Sequence, residues 1–478
     1  MPPITVTTLG VRSAVPCDLD IRDAAETTVE VRGDLLGRRR IYYRREESQV
    51  VLSDDLAQLL PASGRPALDH GCLAFFLQHG LTPAARTPFA GIRKVPAGHV
   101  LHIDTSTLSV VTSPHPALRE LTADPAASLR DAVDGVRQAI TECPADVVTL
   151  SGGLDSTYLL ALLAATGREV RALAVESAGG RDEGHWRRLA ADHLGVELFE
   201  HRAPERHYAR LLDAAVRVLP DPVGHHVIAS YAATHAFLRS LRLRGCASGD
   251  GAEEVFDRET HQVRRDRLGR LQPSRICFDR EDAASLLVPG AADTPLETLE
   301  AEQHASVLGL TSTADPVLLN NLFFHLSGFQ LHPQDQIARA RGTEANFPFL
   351  AWDCLRPGLV RADLVGPDTG KQVLRAAARG LIPEEIINRP KMGLSSAFDT
   401  SVRTVGADLF RQRIAACDLF SQHGLDHVER LLQEHRSMTG KGHARPLSCA
   451  YLMASWWLHW VAPDGLAATE TAEFRCRA

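Results

Sequence analysis

One ten-residue stretch, 147–156, constrains the fold of this 478-residue chain more than any other. It begins with the β-branched run Val-Val-Thr, passes through Ser-Gly-Gly, and leads into a continuous apolar stretch over 157–165 that stops before Gly167. A short β-branched run is typical of a buried strand, and a longer apolar stretch that ends at a glycine is typical of a helix. The sequence therefore predicts a strand, a tight turn and a helix N-terminus in immediate succession.

The turn in this stretch has the composition of a phosphate-binding loop. Its glycines allow positive φ and close backbone approach, so that successive N–H groups can point at one anion beside the helix start. Its serines add hydroxyl donors, and its aspartate is a carboxylate suited to a magnesium ion that bridges phosphates. The alternative is a turn that only joins the strand to the helix. The predicted phosphate-binding residues are Ser151, Gly152, Gly153, Leu154, Asp155 and Ser156.

The phosphate loop is not of the Walker A type, because no Gly-Lys-Ser/Thr follows at the required spacing. The string Ser-Gly-Gly-Leu-Asp-Ser instead resembles the pyrophosphate loop of the ATP pyrophosphatases, which include asparagine synthetases, β-lactam synthetases and lasso-peptide cyclases. This resemblance implies that ATP is the cosubstrate and that its α-phosphorus is attacked by a carboxylate. It also implies an acyl-adenylate, released pyrophosphate, and Mg²⁺ held in part by Asp155.

A second segment, 246–256, supports the same resemblance. It reads Cys-Ala-Ser-Gly-Asp-Gly-Ala-Glu-Glu-Val-Phe, follows an expected strand at 241–243, and is similar to the Ser-Gly-Glu/Asp-Gly-Ala/Ser-Asp-Glu-Leu-Phe segment of asparagine synthetases. Without the family, acids at this place are explained equally well by a helix start, where negative charge is favoured.

The resemblance gives each residue of this second segment a role. It implies that Ser248 and Gly249 contact the nucleotide, that Asp250 lies at the reacting centre, and that Glu253 binds Mg²⁺ together with Asp155. Glu253 is one methylene longer than the aspartate of the family.

Segment 344–350, Glu-Ala-Asn-Phe-Pro-Phe-Leu, resembles the family motif Glu-x-Arg-x-Pro-Phe-Leu-Asp. The resemblance makes Glu344 a candidate substrate contact. Asn346 and Ala351 stand where the family has arginine and aspartate, so the substrate contacts of this region are expected to differ from those of the family.

Two lysines complete the candidate site. Lys391, in Asn-Arg-Pro-Lys-Met-Gly, matches a family lysine that reaches the developing charge on the adenylate, and an ammonium fixed there would favour amide formation. Lys371 stands near an expected helix start, where lysine is electrostatically disfavoured, and is a candidate phosphate ligand. An ordinary surface role is the alternative for both.

The chain is predicted to have the α/β fold in two lobes. Alternating strands before about residue 60 indicate an antiparallel β lobe over 1–115, which by resemblance is a degenerate glutaminase-like domain. In the remainder, 116–478, strands near Val147, Val170 and Val196 alternate with helices, which predicts a doubly wound parallel sheet. By resemblance this is the adenine-nucleotide α-hydrolase sheet of an ATP-pyrophosphatase synthetase domain, followed by a helical C-terminal part.

Composition excludes several classes of protein. A net charge of −7 and a pI near 6.3 argue against a nucleic-acid partner. Nine cysteines without Cys-x-x-Cys pairs argue against a disulfide framework and favour the reducing cytoplasm. Neither a signal peptide nor an apolar run long enough to span a bilayer is evident, so no membrane partner is expected.

The resemblance also limits the source of the amine and the kind of amide that the reaction forms. Glutamine-dependent members carry a processed cysteine at position two, whereas Pro2 stands here, so we expect no glutaminase activity in this chain. β-Lactam synthetases carry tyrosine where Asp250 stands, which argues against a four-membered lactam. We therefore expect a synthetase that joins a carboxylate substrate, peptide or small molecule, to an amine.

Several versions of this reaction stay open. Macrolactam closure of a precursor peptide, with a pathway protease as partner, comes first, and ligation of a small amine in antibiotic synthesis is close behind. An asparagine synthetase that uses ammonia or a partner's glutaminase, and a non-catalytic nucleotide-binding scaffold, are the alternatives.

Overall fold

The fold is described from a computed structural model. It covers residues 4–7, 10–12, 20–25, 27–177, 183–204, 207–257, 263–265, 271–273, 277–290, 294–361, 363, 370–390, 397–403, 406–437 and 443–463.

The N-terminal lobe is built from two antiparallel sheets that share one apolar core. Its strands are β1 (Ile4–Thr7), β2 (Gly10–Arg12), β3 (Asp20–Ala25), β4 (Thr28–Arg32), β5 (Tyr42–Arg45), β6 (Gln49–Ser53), β7 (Ile92–Lys94), β8 (His99–Asp104) and β9 (Val110–Pro114). One sheet has the order β2-β1-β6-β5-β7 and the other β3-β4-β8-β9. Inward residues alternate along the strands, as Val29 and Val31 do in β4, and they pack in one cluster with Ile4 and Leu101.

Three short helical elements complete this lobe. They are a 3₁₀ turn at Leu56–Leu59 and the helices α1 (His70–His79) and α2 (Pro116–Arg119). Helix α1 begins where the Asp69 carboxylate accepts a hydrogen bond from Cys72 N, and it ends at Gly80 in the left-handed conformation.

The second lobe contains a five-stranded parallel sheet. Its strands are β10 (Val147–Thr149), β11 (Arg171–Ser177), β12 (Glu197–Ala203), β13 (Gly245–Ala247) and β16 (Glu344–Asn346), in the order β12-β11-β10-β13-β16. A separate hairpin is formed by β14 (Val263–Arg265) and β15 (Leu271–Pro273). The chain runs outward from β10 in one direction and then from β13 in the other, so the sheet has a topological switch point between β10 and β13. In such sheets, ligands bind at the carboxyl ends of the strands that flank the switch point.

Helices cover the parallel sheet and form the C-terminal part. They are α3 (Leu129–Glu142), α4 (Leu154–Ala164), α5 (Gly184–Leu194), α6 (Tyr208–Val216), α7 (Ile228–Ser240), α8 (Ala252–Phe256), α9 (Arg280–Ser285), α10 (Leu296–Leu308), α11 (Pro316–Asn320), α12 (His332–Ala340), α13 (Trp352–Val360), α14 (Gly370–Ala378), α15 (Glu384–Ile387), α16 (Ala397–Arg403), α17 (Gly406–Ala415), α18 (Gln422–Ser437) and α19 (Ala444–Trp460). A π-helix covers Asn321–Leu331 and a 3₁₀ turn covers Pro348–Leu350. None of the helices in the described ranges meets the length and apolarity needed to cross a lipid bilayer.

The two lobes are joined through a buried ionic cluster. Asp221, in the second lobe, accepts hydrogen bonds from Lys94 Nζ at 2.7 Å, Arg40 Nη1 at 2.6 Å and Thr82 Oγ1 at 2.6 Å. The side chains of Asp221 and Lys94 are only 1% and 3% exposed. Burial alone would raise the pKa of Asp221, but the two cations and the hydroxyl reverse this effect and lower it. The cluster therefore holds the lobes together as a charged, fully paired group.

The fold prediction is confirmed, with one local error. The α/β class, the antiparallel N-terminal lobe and the parallel sheet of the second lobe are all observed. The strand expected at 241–243 is instead the turn after α7, and the strand β13 is the Gly-Cys-Ala run that follows. Glycine is required at the first position of β13, because a Cβ at Gly245 would lie 2.6 Å from Glu344 O in the neighbouring strand.

Candidate active site

The predicted phosphate loop connects β10 to α4 at the switch point. Gly152 has a φ of +73°, and a Cβ there would lie 2.7 Å from Trp186 Cβ and 2.9 Å from Arg187 N, so only glycine fits. Ser151 and Ser156 close the loop, since their Oγ atoms lie 3.0 Å apart and Ser151 N donates to Ser156 Oγ at 3.2 Å. The loop is thus held in one conformation by its own side chains.

The N-terminus of α4 is open toward this loop. Gly153 is the N-cap residue, and no side chain caps the first turn. The backbone N–H groups of a first helical turn have no partners within the helix and carry the positive end of its dipole. An anion such as pyrophosphate would satisfy these groups.

The second predicted loop follows β13 and packs against the first one. A Cβ at Gly249 would lie 3.4 Å from Ser156 N and 3.6 Å from Asp155 Cβ, so the gap between the two loops at this point is no wider than one methyl group in van der Waals contact. Ser248 Oγ donates to Asp250 Oδ2 at 2.8 Å, which fixes the carboxylate beside the phosphate loop.

Asn346 anchors this second loop to the edge strand. Its backbone oxygen accepts a hydrogen bond from Ser248 N at 2.8 Å, and its side-chain amide donates to Cys246 O at 3.3 Å. Asn346, which stands where the resembled motif has arginine, therefore makes hydrogen bonds to the second loop and to β13 from the carboxyl end of β16.

Acidic side chains converge behind the second loop. Burial raises the pKa of Asp250 above its usual value, the hydrogen bond from Ser248 lowers it, and the charge of Glu253 raises it again. Burial, with the charges of Glu253 and Asp250, raises the pKa of Glu254 to about 7. Tyr231, on the first turn of α7, has a pKa raised well above its usual value by burial and by Asp250. A carboxylate of raised pKa is a stronger base than an ordinary aspartate.

Lys371 reaches this site from α14. Its Nζ donates to Asp155 Oδ1 at 2.7 Å, and the two side chains are 10% and 24% exposed. The charge of Lys371 also lowers the pKa of Glu254.

The residues at the carboxyl ends of β10 and β13 fit a magnesium ion that is bound jointly by the protein and by phosphate. Within the described residues, no group of three or more His, Cys, Asp or Glu side chains is arranged to hold a metal by itself. Mg²⁺, however, is often bound by one or two carboxylates with substrate phosphates and water completing its shell. The ammonium of Lys371 already stands as a cation on Asp155, which shows that this carboxylate accepts positive charge.

Arg389 is a residue of the site that the sequence did not identify. Its Nη1 donates to Gly152 O at 3.0 Å, its Nη2 pairs with Glu183, and its guanidinium lies over the Trp186 ring at 5.0 Å from the centroid. The side chain is 6% exposed. One arginine therefore ties the phosphate loop to the start of α5.

Glu344 stands apart from the group at the carboxyl ends of the strands. Glu344 lies at the amino end of β16, where it pairs with Gly245 of β13. Gly245 comes three residues before Ser248, so Glu344 lies about 10 Å from the level of Ser248, measured along the strand. The structure does not bring Glu344 to the carboxyl ends of the strands, because its place is set by the register of β16. Lys391 lies outside the described residues.

Comparison with known proteins agrees with this geometry. The model of the asparagine synthase family matches residues 127–459, and the model of a glutamine amidotransferase domain matches residues 18–114. A search of curated proteins finds no match. The solved structure of NMN synthetase from Francisella tularensis is 12% identical over 56% of this chain and 98% of its own, with a TM-score of 0.21, too low to support an argument. Because the first model covers more than half of the chain and the loops of the switch point lie within it, the chain belongs to the asparagine synthase family.

Proposed function

We propose that this protein is an AMP-forming amide synthetase. Family membership gives an ATP-using ligase chemistry in general. The finer proposal is that a substrate carboxylate is adenylated and then coupled to an amine carried by the substrate, as in macrolactam or related natural-product amides. Neither nucleic acid nor membrane takes part, the protein acts in the cytoplasm, and a precursor peptide with its protease is the favoured partner.

The observation that carries the proposal is the close approach of the two loops. They follow the adjacent strands β10 and β13, and a Cβ added at Gly249 would lie only 3.4 Å from Ser156 N. A nucleotide whose pyrophosphate occupies the Ser151–Ser156 loop would therefore present its α-phosphate toward Ser248 and Asp250. That arrangement suits attack at the α-phosphorus, because the departing group is already held by backbone donors.

The side chains divide the reaction between them. The loop 151–156 and Lys371 bind the pyrophosphate, and Ser248 and Gly249 contact the nucleotide. Asp250 accepts a proton from the incoming ammonium, and Lys391 supports the charge that develops on the adenylate. Mg²⁺, held by Asp155 and Glu253 together with phosphate, would neutralise charge on the departing pyrophosphate.

The test is exchange of labelled pyrophosphate into ATP in the presence of a panel of carboxylic acids and peptides. We expect exchange with at least one acid, and its loss in Asp155→Ala. Stabilisation by ATP without any exchange across a broad panel would favour a binding scaffold instead.

One observation favours a second candidate. The amidotransferase-domain match over 18–114 leaves an asparagine synthetase that uses ammonia or a partner's glutaminase as the alternative. Supplying ammonia, hydroxylamine or a peptide amine to the adenylated enzyme separates these reactions by their products.

A further inference from the structure

The ion pair between Lys371 and Asp155 places an ammonium on the carboxylate that the proposed function assigns to the metal. Lys371 Nζ lies 2.7 Å from Asp155 Oδ1, and the lysine side chain is only 10% exposed. Charge-assisted hydrogen bonds of this length are among the stronger ones in proteins. This oxygen atom therefore has a cationic partner within the protein itself.

The helix that carries Lys371 fixes the lysine in this place. Leu374 and Ala378, on the inner face of α14, are fully buried, and α14 contacts α3, α4 and α8. Helix α4 carries Asp155, and α8 carries Glu253. The ammonium is thus presented from a rigid element to the space between the phosphate loop and the acidic helix.

An ammonium and a divalent cation compete for the same oxygen. Mg²⁺ requires its carboxylate oxygen at about 2.0–2.1 Å and gives up its water reluctantly, so it gains little at an oxygen that already accepts from lysine. A bound triphosphate shifts this competition toward the metal. It brings several anionic oxygens, to which the lysine ammonium binds as a point charge instead of to Asp155.

We propose that Lys371 blocks Asp155 in the nucleotide-free protein, so that a divalent cation binds there only together with the nucleotide, whose phosphates draw the ammonium away. The inference rests on the proposed function for the position of the phosphates. It adds a binding order: nucleotide and metal bind with positive coupling, and each raises the affinity for the other by the same factor.

The experiment measures Mn²⁺ binding by electron paramagnetic resonance, with and without α,β-methylene-ATP, which is not cleaved between its first two phosphates. The full-length variants are Lys371→Met, Lys371→Arg and Asp155→Asn. Arg375→Met is the matched control, since it removes one positive charge from the next turn of α14. Thermal melting of each variant verifies that it is folded.

We expect the wild type to bind Mn²⁺ at least ~5-fold more tightly with the analogue than without it, the lower end of common coupling factors. Lys371→Met should gain Mn²⁺ affinity in the absence of nucleotide and therefore show a smaller coupling than the wild type, with only the part that comes from direct coordination by the phosphates remaining. Lys371→Arg should keep the coupling, Asp155→Asn should bind Mn²⁺ poorly in both conditions, and Arg375→Met should behave as the wild type.

The inference is overturned if Lys371→Met leaves nucleotide-free Mn²⁺ affinity unchanged, if Arg375→Met changes it equally, or if the analogue does not bind. The result is independent of the reaction catalysed. Coupling is measured with an uncleaved analogue, so it can be observed even if turnover is found to yield ADP. Pyrophosphate exchange in the wild type, in turn, can be observed even if the coupling is absent.

Discussion

At the scale of single residues, the two glycines of the phosphate loop differ in how well the structure would tolerate a side chain. Gly152 has a φ of +73°, and a Cβ there would lie within 3 Å of the backbone of α5, whereas Gly153 has a φ of −86° and a Cβ there would meet only Ser151 Oγ, at 3.3 Å. We expect Gly152→Ala to lower the free energy of unfolding by about 2–4 kcal/mol, from left-handed strain and overpacking. Gly153→Ala should lower it by less than about 1 kcal/mol. Urea denaturation measures both, and equal losses would contradict the loop geometry.

Glu254 makes stability depend on pH. The folded protein raises the pKa of this carboxyl from 4.5 to about 7, so the folded state holds a proton that the unfolded state releases. Its favourable contribution is present below about pH 4.5 and is lost as pH rises through 7. Glu254→Gln should therefore be more stable than the wild type at pH 8, by at most about 3 kcal/mol, with the gain shrinking toward pH 5. Melting temperatures across this range measure the effect, and a gain that is independent of pH would contradict it.

At the scale of elements, Arg389 links the phosphate loop to α5. Removing it leaves Gly152 O and Glu183 without their cationic partner, and hydrogen bonds to charged groups are worth about 1.5–3 kcal/mol. We expect Arg389→Met to destabilise the protein by that amount and to weaken binding of α,β-methylene-ATP by more than about tenfold, since the loop loses its fixed position. Calorimetric titration and urea denaturation measure the two effects.

The matched control for this prediction is Arg188→Met. Arg188 lies on the same helix α5, but its side chain is 57% exposed and pairs with Glu200 at 3.3 Å. Surface pairs of this kind contribute less than about 1 kcal/mol. The two arginines should therefore differ clearly in nucleotide affinity, and an equal effect would show that general charge, rather than the contact with Gly152, sets that affinity.

The elements that sequence patterns predicted are those whose signals are local. The strand–turn–helix at β10 and α4 is encoded within twenty residues by β-branched residues, glycines and a long apolar run, and the parallel sheet follows from its repetition. The prediction of a strand at 241–243 is wrong because the alternating Leu-Arg-Leu pattern is a stronger local signal than Gly-Cys-Ala, although a Cβ at Gly245 would clash with Glu344. Arg389 could not be assigned, since its contact with Gly152 spans 237 positions. The pairing of Lys371 with Asp155 spans 216 positions, so it could not be predicted from local sequence patterns either.

At the scale of the whole molecule, the two lobes depend on the buried cluster around Asp221. Replacing this carboxylate removes the buried partner of Lys94 and Arg40, and breaking a buried pair in this way costs about 3–5 kcal/mol. We expect Asp221→Asn to lower the free energy of unfolding by that amount. Because the cluster lowers the pKa of Asp221 below 3.8, its contribution in the wild type persists until the pH falls below that value.

A second interlobe contact serves as the control. Arg339 Nη2 pairs with Asp54 at 2.8 Å, but the arginine side chain is 33% exposed. Arg339→Met should therefore cost about 1 kcal/mol or less. If both changes destabilised the protein equally, the cluster at Asp221 would not be the main ionic contact between the lobes.

The central claim is that a carboxylate is activated by transfer of AMP. A carboxylic acid that supports pyrophosphate exchange, labelled with ¹⁸O in its carboxyl group, tests this directly when the phosphorus products of turnover are analysed by mass spectrometry and ³¹P NMR. The account predicts unlabelled pyrophosphate and AMP that carries one ¹⁸O atom from the acid. ADP with labelled orthophosphate would contradict it.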